Sequence, residues 1–93
     1  RLEAELELQT ARTHADRVRG RSDPETWASL ARSWGKRQAP YREAKARWWQ
    51  ALAVLASAPE GDRESARVEA QVPLAEAYRL TGNLLESGRQ RRN

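Results

Sequence analysis

Hydrophobic residues recur at helical spacing along almost the whole chain. Between residues 1 and 19 a stripe advances by steps of three and four residues, through Ala4, Leu8, Ala11, Ala15 and Val18. This period is typical of an amphipathic helix, and Gly20 is placed to end it. Because the stripe is mostly alanine, we expect this helix to need a packing partner.

A strong start signal for a second helix lies at residues 22–25, which read Ser-Asp-Pro-Glu. Asp23 or Ser22 can cap the helix, while proline suits its first position and glutamate its first turn. Apolar residues then follow at i, i+3, i+4 and i+7, namely Trp27, Leu30, Ala31 and Trp34. We predict that this helix ends between residues 35 and 39, because Pro40 disfavours helical backbone at the residue before it.

A third helix is predicted from about Tyr41 to about Ser57. Its main stripe consists of Tyr41, Ala44, Trp48, Leu52 and Leu55, and Trp49, Ala53 and Ala56 widen it. Such a wide apolar surface predicts two contacted faces and a central place in the fold.

A fourth helix is predicted to start at Asp62 after a turn at residues 58–61. Its stripe consists of Ala66, Ala70, Pro73, Ala77 and Leu80. Pro73 is expected to kink or split the helix, and Gly82 and Asn83 to end it. A last short turn or helix at 84–86 and a frayed basic tail would follow. No segment alternates long enough to predict a strand, so the predicted class is all-α.

These segments predict an antiparallel array of four to five helices in one domain or fragment. We divide it into an N-terminal helix at 1–21, helical pairs at 22–88 and a basic tail at 89–93. With 93 residues and four tryptophans but no Phe, Met or Cys, the core must depend on aromatic burial. The predicted core consists of Trp27, Leu30, Trp34, Tyr41, Trp48, Leu52 and Leu55.

Basic residues outnumber acidic ones, 17 to 13, and give a net charge of +4. The candidate interaction surface consists of a basic run and one tryptophan that lies off the main stripe: Arg32, Lys36, Arg37, Arg42, Lys45 and Trp49. Alternatively, the basic side chains could contact the phosphates of a nucleic acid while the aromatic rings stack on its nucleobases. We favour core aromatics with a solvated basic face, and keep a small basic nucleic-acid-binding module as the alternative.

No pattern of catalytic or metal-binding residues is present. His14, the only histidine, is predicted to be a plain surface residue, because Asp16 two positions later lies on another helix face. The acidic residues near the helix starts suit the helix dipole, and the absence of cysteine excludes thiolate metal sites. We expect no enzyme activity and no cofactor.

No apolar run approaches the roughly 20 residues that span a bilayer, so we expect a cytoplasmic chain without membrane contact.

The order of small and aromatic residues resembles tetratricopeptide-type helix–turn–helix repeats. Trp27-x2-Leu30-Ala31-x2-Trp34 is followed by Ala44-x3-Trp48 and Pro59. Together with Pro40-Tyr41, Gly61-Asp62-Arg63 and Leu80-Thr81-Gly82, the pattern is similar to the tetratricopeptide-like segment of large LuxR-type, ATP-binding bacterial transcriptional regulators. The similarity covers roughly residues 24–86. Ala31 stands where the repeat pattern has glycine, and the turn is one residue longer, so a peptide-clamp function is not implied.

This resemblance implies a part of the helical array of such a regulator, between an ATPase module and a DNA-binding domain. The chain begins at Arg1 rather than methionine, which also favours an excised segment. It carries no phosphate loop, since Gly35-Lys36 lacks the earlier glycine and the following hydroxyl, so ATP binding would belong to the parent protein. The expected function is a non-catalytic protein-interaction or regulatory module whose partners are adjacent repeats, other domains of the parent chain or a second copy.

Overall fold

The computed structural model describes the backbone of residues 2–92 and the side chains of residues 3–82. It contains four α-helices, which are α1 (Leu2–Val18), α2 (Pro24–Lys36), α3 (Pro40–Ser57) and α4 (Arg63–Arg92), with a 3₁₀ turn at Glu60–Asp62 before α4. No strand occurs in the described backbone. The predicted all-helical class is therefore confirmed.

The start of α2 is fixed by its predicted cap. The carboxylate of Asp23 accepts hydrogen bonds from the backbone N–H of Glu25 at 3.3 Å and the hydroxyl of Thr26 at 2.9 Å. Pro24 occupies the first turn, where its missing N–H costs nothing. The Ser22 hydroxyl accepts a hydrogen bond from the indole of Trp27 at 3.2 Å, so the cap segment is also anchored to the core.

The first two helices end in the same hydrogen-bonded motif. After α1, the N–H of Gly20 donates to the carbonyl of Arg17 and that of Arg21 donates to Asp16. After α2, the N–H of Gln38 donates to Gly35 and that of Ala39 donates to Trp34. Both are Schellman ends, whose central residue needs a left-handed backbone. Gly20 meets this need at φ 77°, whereas Gln38 adopts φ 57° with a side chain.

Helix α3 is central, as predicted, because it packs against both α2 and α4. On the α2 side the core contains mainly large residues of α2 and small ones of α3, namely Trp27, Leu30, Ala31, Trp34, Ala46 and Ala53. On the α4 side it contains Ala51, Val54, Ala66 and Ala70. Alanine on both helices lets α3 and α4 approach closely.

Helix α4 runs on past two residues that were expected to interrupt it. Pro73 lies inside the helix and is buried, and Gly82 does not end it. The predicted stop at Gly82 and Asn83 is therefore wrong. The side chains of the predicted turn at 84–86 and of the basic tail at 89–93 lie outside the described residues.

Four residues of the predicted core are exposed in this chain, which corrects their assignment. They are Tyr41, Trp48, Leu52 and Leu55, all on α3. The reason is that α3 contacts its neighbours through its small residues, Ala44, Ala46, Ala51, Ala53 and Val54. Because these contacts are made by small residues, the four larger side chains remain partly in solvent. The other three predicted core residues, Trp27, Leu30 and Trp34, are buried.

The face of α1 that packs against the fold also differs from the predicted one. Leu8 and Val18 of the predicted stripe are exposed, while Leu6, Thr10, Thr13, His14 and Arg17 lie on the inner side. Polar residues suit this face because α1 lies over buried indoles that have N–H groups. The Trp34 indole donates to the Thr10 hydroxyl at 3.4 Å, and that hydroxyl donates to the carbonyl of Leu6 at 2.7 Å.

Candidate functional site

A groove lies between α1 and α3. Both helices pack against α2, but their backbones do not contact one another, and a cavity of about 450 Å³ remains between them. This is within the size range of ligand sites, roughly 300–1,000 Å³. The groove is lined by Glu7, Thr10, Ala11 and His14 of α1, Trp27 and Trp34 of α2, and Tyr41, Arg42, Lys45, Ala46 and Trp49 of α3.

The floor of the groove is an aromatic cluster. The His14 ring meets Trp27 edge-on at a centroid distance of 4.9 Å and Trp49 at 5.3 Å. The rings of Trp27 and Trp49 lie 6.1 Å apart at an interplanar angle of 29°. Trp27 is fully buried, whereas Trp49 is half-buried. Trp49 therefore offers an accessible apolar surface that the cluster holds in place.

Three cations are positioned on aromatic rings around this floor. The guanidinium of Arg17 lies 4.1 Å from the centroid of Trp49. That of Arg42 lies 4.8 Å from the Trp34 ring, and the Lys45 ammonium lies 5.5 Å from Tyr41. These distances permit cation–π attraction. Arg42 and Lys45 line the groove itself, whereas Arg17 lies beside it in a neighbouring depression that also borders Trp49.

Arg42 also forms an ion pair with Glu7 across the groove. This pair joins α1 to α3, whose main chains are apart. Lys45 forms no ion pair among the described residues. The groove thus has one partly neutralised cation and one exposed ammonium on the same helix.

Burial lowers the pKa of His14 below its ordinary value of 6.5, and the nearby charges of Arg17 and Lys45 lower it further. All three causes disfavour the imidazolium. The neutral imidazole is therefore favoured, and the charged groups that line the groove are Arg42, Lys45 and Glu7. The prediction of a plain surface histidine is wrong, because His14 packs between two indoles.

The six predicted surface residues do not form one surface. Trp49, Arg42 and Lys45 line the groove. Lys36 and Arg37 lie in a separate depression between α1 and α2, together with two glutamates, Glu3 and Glu5. Arg32 is exposed on α2 outside both depressions. The basic run is therefore distributed over several faces, and only its α3 part accompanies aromatic residues.

Sequence reasoning missed the α1 side of the groove. Glu7, Thr10, His14 and Arg17 follow one another by three, four and three residues, which places them on one helix face; the first three line the groove, and Arg17 covers Trp49 beside it. The polar stripe was visible in the sequence beside the alanine stripe. The indoles of α2 determine which stripe of α1 faces inward. The orientation of α1 therefore could not be predicted from its own sequence alone.

Comparison of the chain with protein-family models, curated proteins and solved structures finds no match. Within the part of the chain that the structure describes, no helix is long and apolar enough to cross a membrane. The same part contains no cluster of three or more His, Asp or Glu residues that could hold a metal ion.

Proposed function

We propose that this chain is a non-catalytic helical interaction module that binds a segment of another protein in the groove between α1 and α3. The observation that carries the proposal is the coincidence, in one groove, of an accessible aromatic floor with two cations that lie on aromatic rings, Arg42 and Lys45. Trp, Tyr and Arg are the residues that most often dominate binding energy at protein interfaces.

The charges of the groove favour a segment with carboxylates beside apolar side chains. An apolar side chain would contact Trp49 and Ala11, and a carboxylate would meet Lys45, which has no ion-pair partner among the described residues. A second carboxylate could compete with Glu7 for Arg42. The positive charges of the groove attract carboxylates and repel basic side chains. A basic segment with the same apolar residues should therefore bind less well.

The wider context is also a proposal. The helices are compatible with an array of antiparallel, tetratricopeptide-like pairs in which α2 and α3 form one pair, α4 begins the next, and α1 precedes them. Repeats of this kind stack on neighbours and offer a binding surface. Together with the sequence resemblance, this supports a place within the helical array of a larger, cytoplasmic, LuxR-type bacterial transcriptional regulator.

The binding test uses a displayed library of random peptides, selected on the purified chain at about 150 mM salt, where distant surface charges are screened. The selected peptides are then synthesised, and their affinity is measured by tryptophan fluorescence and calorimetry. We expect a shared pattern of acidic and apolar positions. Trp49→Ala and Lys45→Glu should each weaken binding by about tenfold or more, which corresponds to at least about 1.4 kcal/mol.

Arg32→Glu provides the matched control, since it reverses an exposed charge outside the groove. It should leave the affinity within about twofold. If Trp49→Ala and Lys45→Glu leave binding unchanged, the groove is not the site. Titration with duplex and single-stranded DNA at two salt concentrations tests the rival function, since binding with a steep salt dependence would favour a nucleic-acid partner.

A further inference from the structure

The exposed face of α3 carries a seam with coiled-coil spacing. Its residues are Tyr41, Lys45, Trp48, Leu52 and Leu55, which follow one another by four, three, four and three positions. Apolar residues at this 4–3 spacing pack knobs-into-holes against a facing helix. The seam residues are partly in solvent: Tyr41 is 60% exposed, Trp48 41%, Leu52 40% and Leu55 43%.

The seam is continued on α4 by Tyr78, which is also 60% exposed. Its ring meets that of Trp48 edge-on at 6.3 Å, so the indole is held in position before any partner binds. The four apolar seam residues and Tyr78 leave about 500 Å² in solvent in total, which is comparable to the largest apolar patches of monomeric proteins, and such patches often mark an interaction site.

We propose that α3 packs against α3 of a second copy of this chain in an antiparallel pair. If both patches are covered completely, about 1,000 Å² is removed from solvent, which is the lower limit for a specific interface and typical of a weak one. A two-fold pair uses the same patch on both copies, so no further surface is required. The inference does not depend on the proposed function, although Tyr41 and Lys45 also border the groove.

The position of Lys45 selects the antiparallel direction. With Trp48 at the centre of the pair, Tyr41 lies opposite Leu55 of the second copy, and Lys45 lies within one residue, about 1.5 Å along the helix, of the position opposite Leu52. The lysine stem can then cover leucine while its ammonium reaches solvent. A parallel pair would instead place Lys45 against Lys45 and two like charges in one seam.

Sedimentation equilibrium of the full chain tests the association. We expect a monomer–dimer equilibrium with a dissociation constant on the order of 10–100 µM, as for other small interfaces. Leu52→Lys should raise this constant about tenfold or more, because a second lysine then faces Lys45. Val72→Lys is the control: Val72 is 74% exposed on α4, outside the seam, and its substitution should leave the constant within about twofold.

Leu52→Glu tests the direction. In the antiparallel pair the introduced carboxylate faces Lys45 of the second copy, so the dimer should persist and become sensitive to salt. Adding Lys45→Glu should then abolish it. Circular dichroism of every variant verifies folding. A wild-type chain that stays monomeric up to about 300 µM overturns the proposal, since this is well above the expected constant. Equal weakening by Leu52→Glu and Leu52→Lys, or by Val72→Lys, also overturns it.

Discussion

Trp27 and Trp48 are both predicted core residues, but the structure buries only Trp27. Replacing each of them by alanine tests this difference in burial. Trp27 is 0% exposed, whereas Trp48 is 41% exposed. Trp27→Ala removes about 150 Å² of buried apolar surface, worth about 4 kcal/mol, which agrees with the roughly 3–5 kcal/mol typical of buried tryptophans. It also leaves the Ser22 hydroxyl without the indole donor.

Trp48→Ala should cost about half as much. Only about three fifths of its side chain is removed from solvent, so the expected loss is about 2 kcal/mol, including the edge contact with Tyr78. A domain of this length has a total stability of roughly 5–14 kcal/mol. Trp27→Ala should therefore remove roughly a third or more of the total stability, and Trp48→Ala about half as much.

Urea denaturation followed by far-ultraviolet circular dichroism measures both losses, because removal of a tryptophan alters the fluorescence signal itself. The protein is kept at about 2 µM, so that association through the α3 seam does not add to the stability of the wild type. An equal or larger loss for Trp48→Ala would refute the distinction between a buried Trp27 and a partly exposed Trp48.

Three further substitutions test the helix ends and the groove. Gln38→Gly should raise the free energy of unfolding by about 0.5–1 kcal/mol, since glycine relieves the left-handed backbone; a loss in urea denaturation would contradict this. Gly20→Ala should lower it by about 1 kcal/mol for the same reason, and an unchanged denaturation midpoint would contradict a strained Schellman end. The pKa of His14 is lowered in the folded chain, so just below pH 6.5 the unfolded chain binds more protons than the folded chain. The free energy of unfolding should therefore fall as the pH falls from about 7.5 to 5.5. His14→Gln should reduce that fall, and an identical pH dependence in both proteins would show that His14 does not cause it.

The helix boundaries followed from local signals. Asp23 and Pro24 start α2, Gly20 ends the motif after α1, and Pro40 begins α3, because each acts on the backbone of its own segment. The end of α4 was not predictable in this way. Gly82 costs only about 1 kcal/mol in a helix, which packing of the preceding turns against α3 can offset.

Which side of each helix packs against its neighbours was harder to predict than where the helix begins and ends. Helix α3 has one stripe of large apolar side chains and another of small ones. Helical periodicity alone cannot decide which of the two stripes a neighbouring helix contacts. The alanines of α4 select the small stripe by allowing close approach. The groove depended on the same kind of choice: Trp49 and Lys45 were visible candidates, but His14 gained significance only when α2 placed Trp27 beside it.

The contrast between the two sides of α3 has a consequence for how this chain can change over time. At the junction with α4 the contacting residues are buried alanines and one valine, so a larger residue would push the helices apart and selection should hold that side nearly constant. On the side of α1 the helices are joined by ring and ion contacts between long side chains. New ligand preferences can arise there by replacement of these side chains, while the scaffold is inherited unchanged.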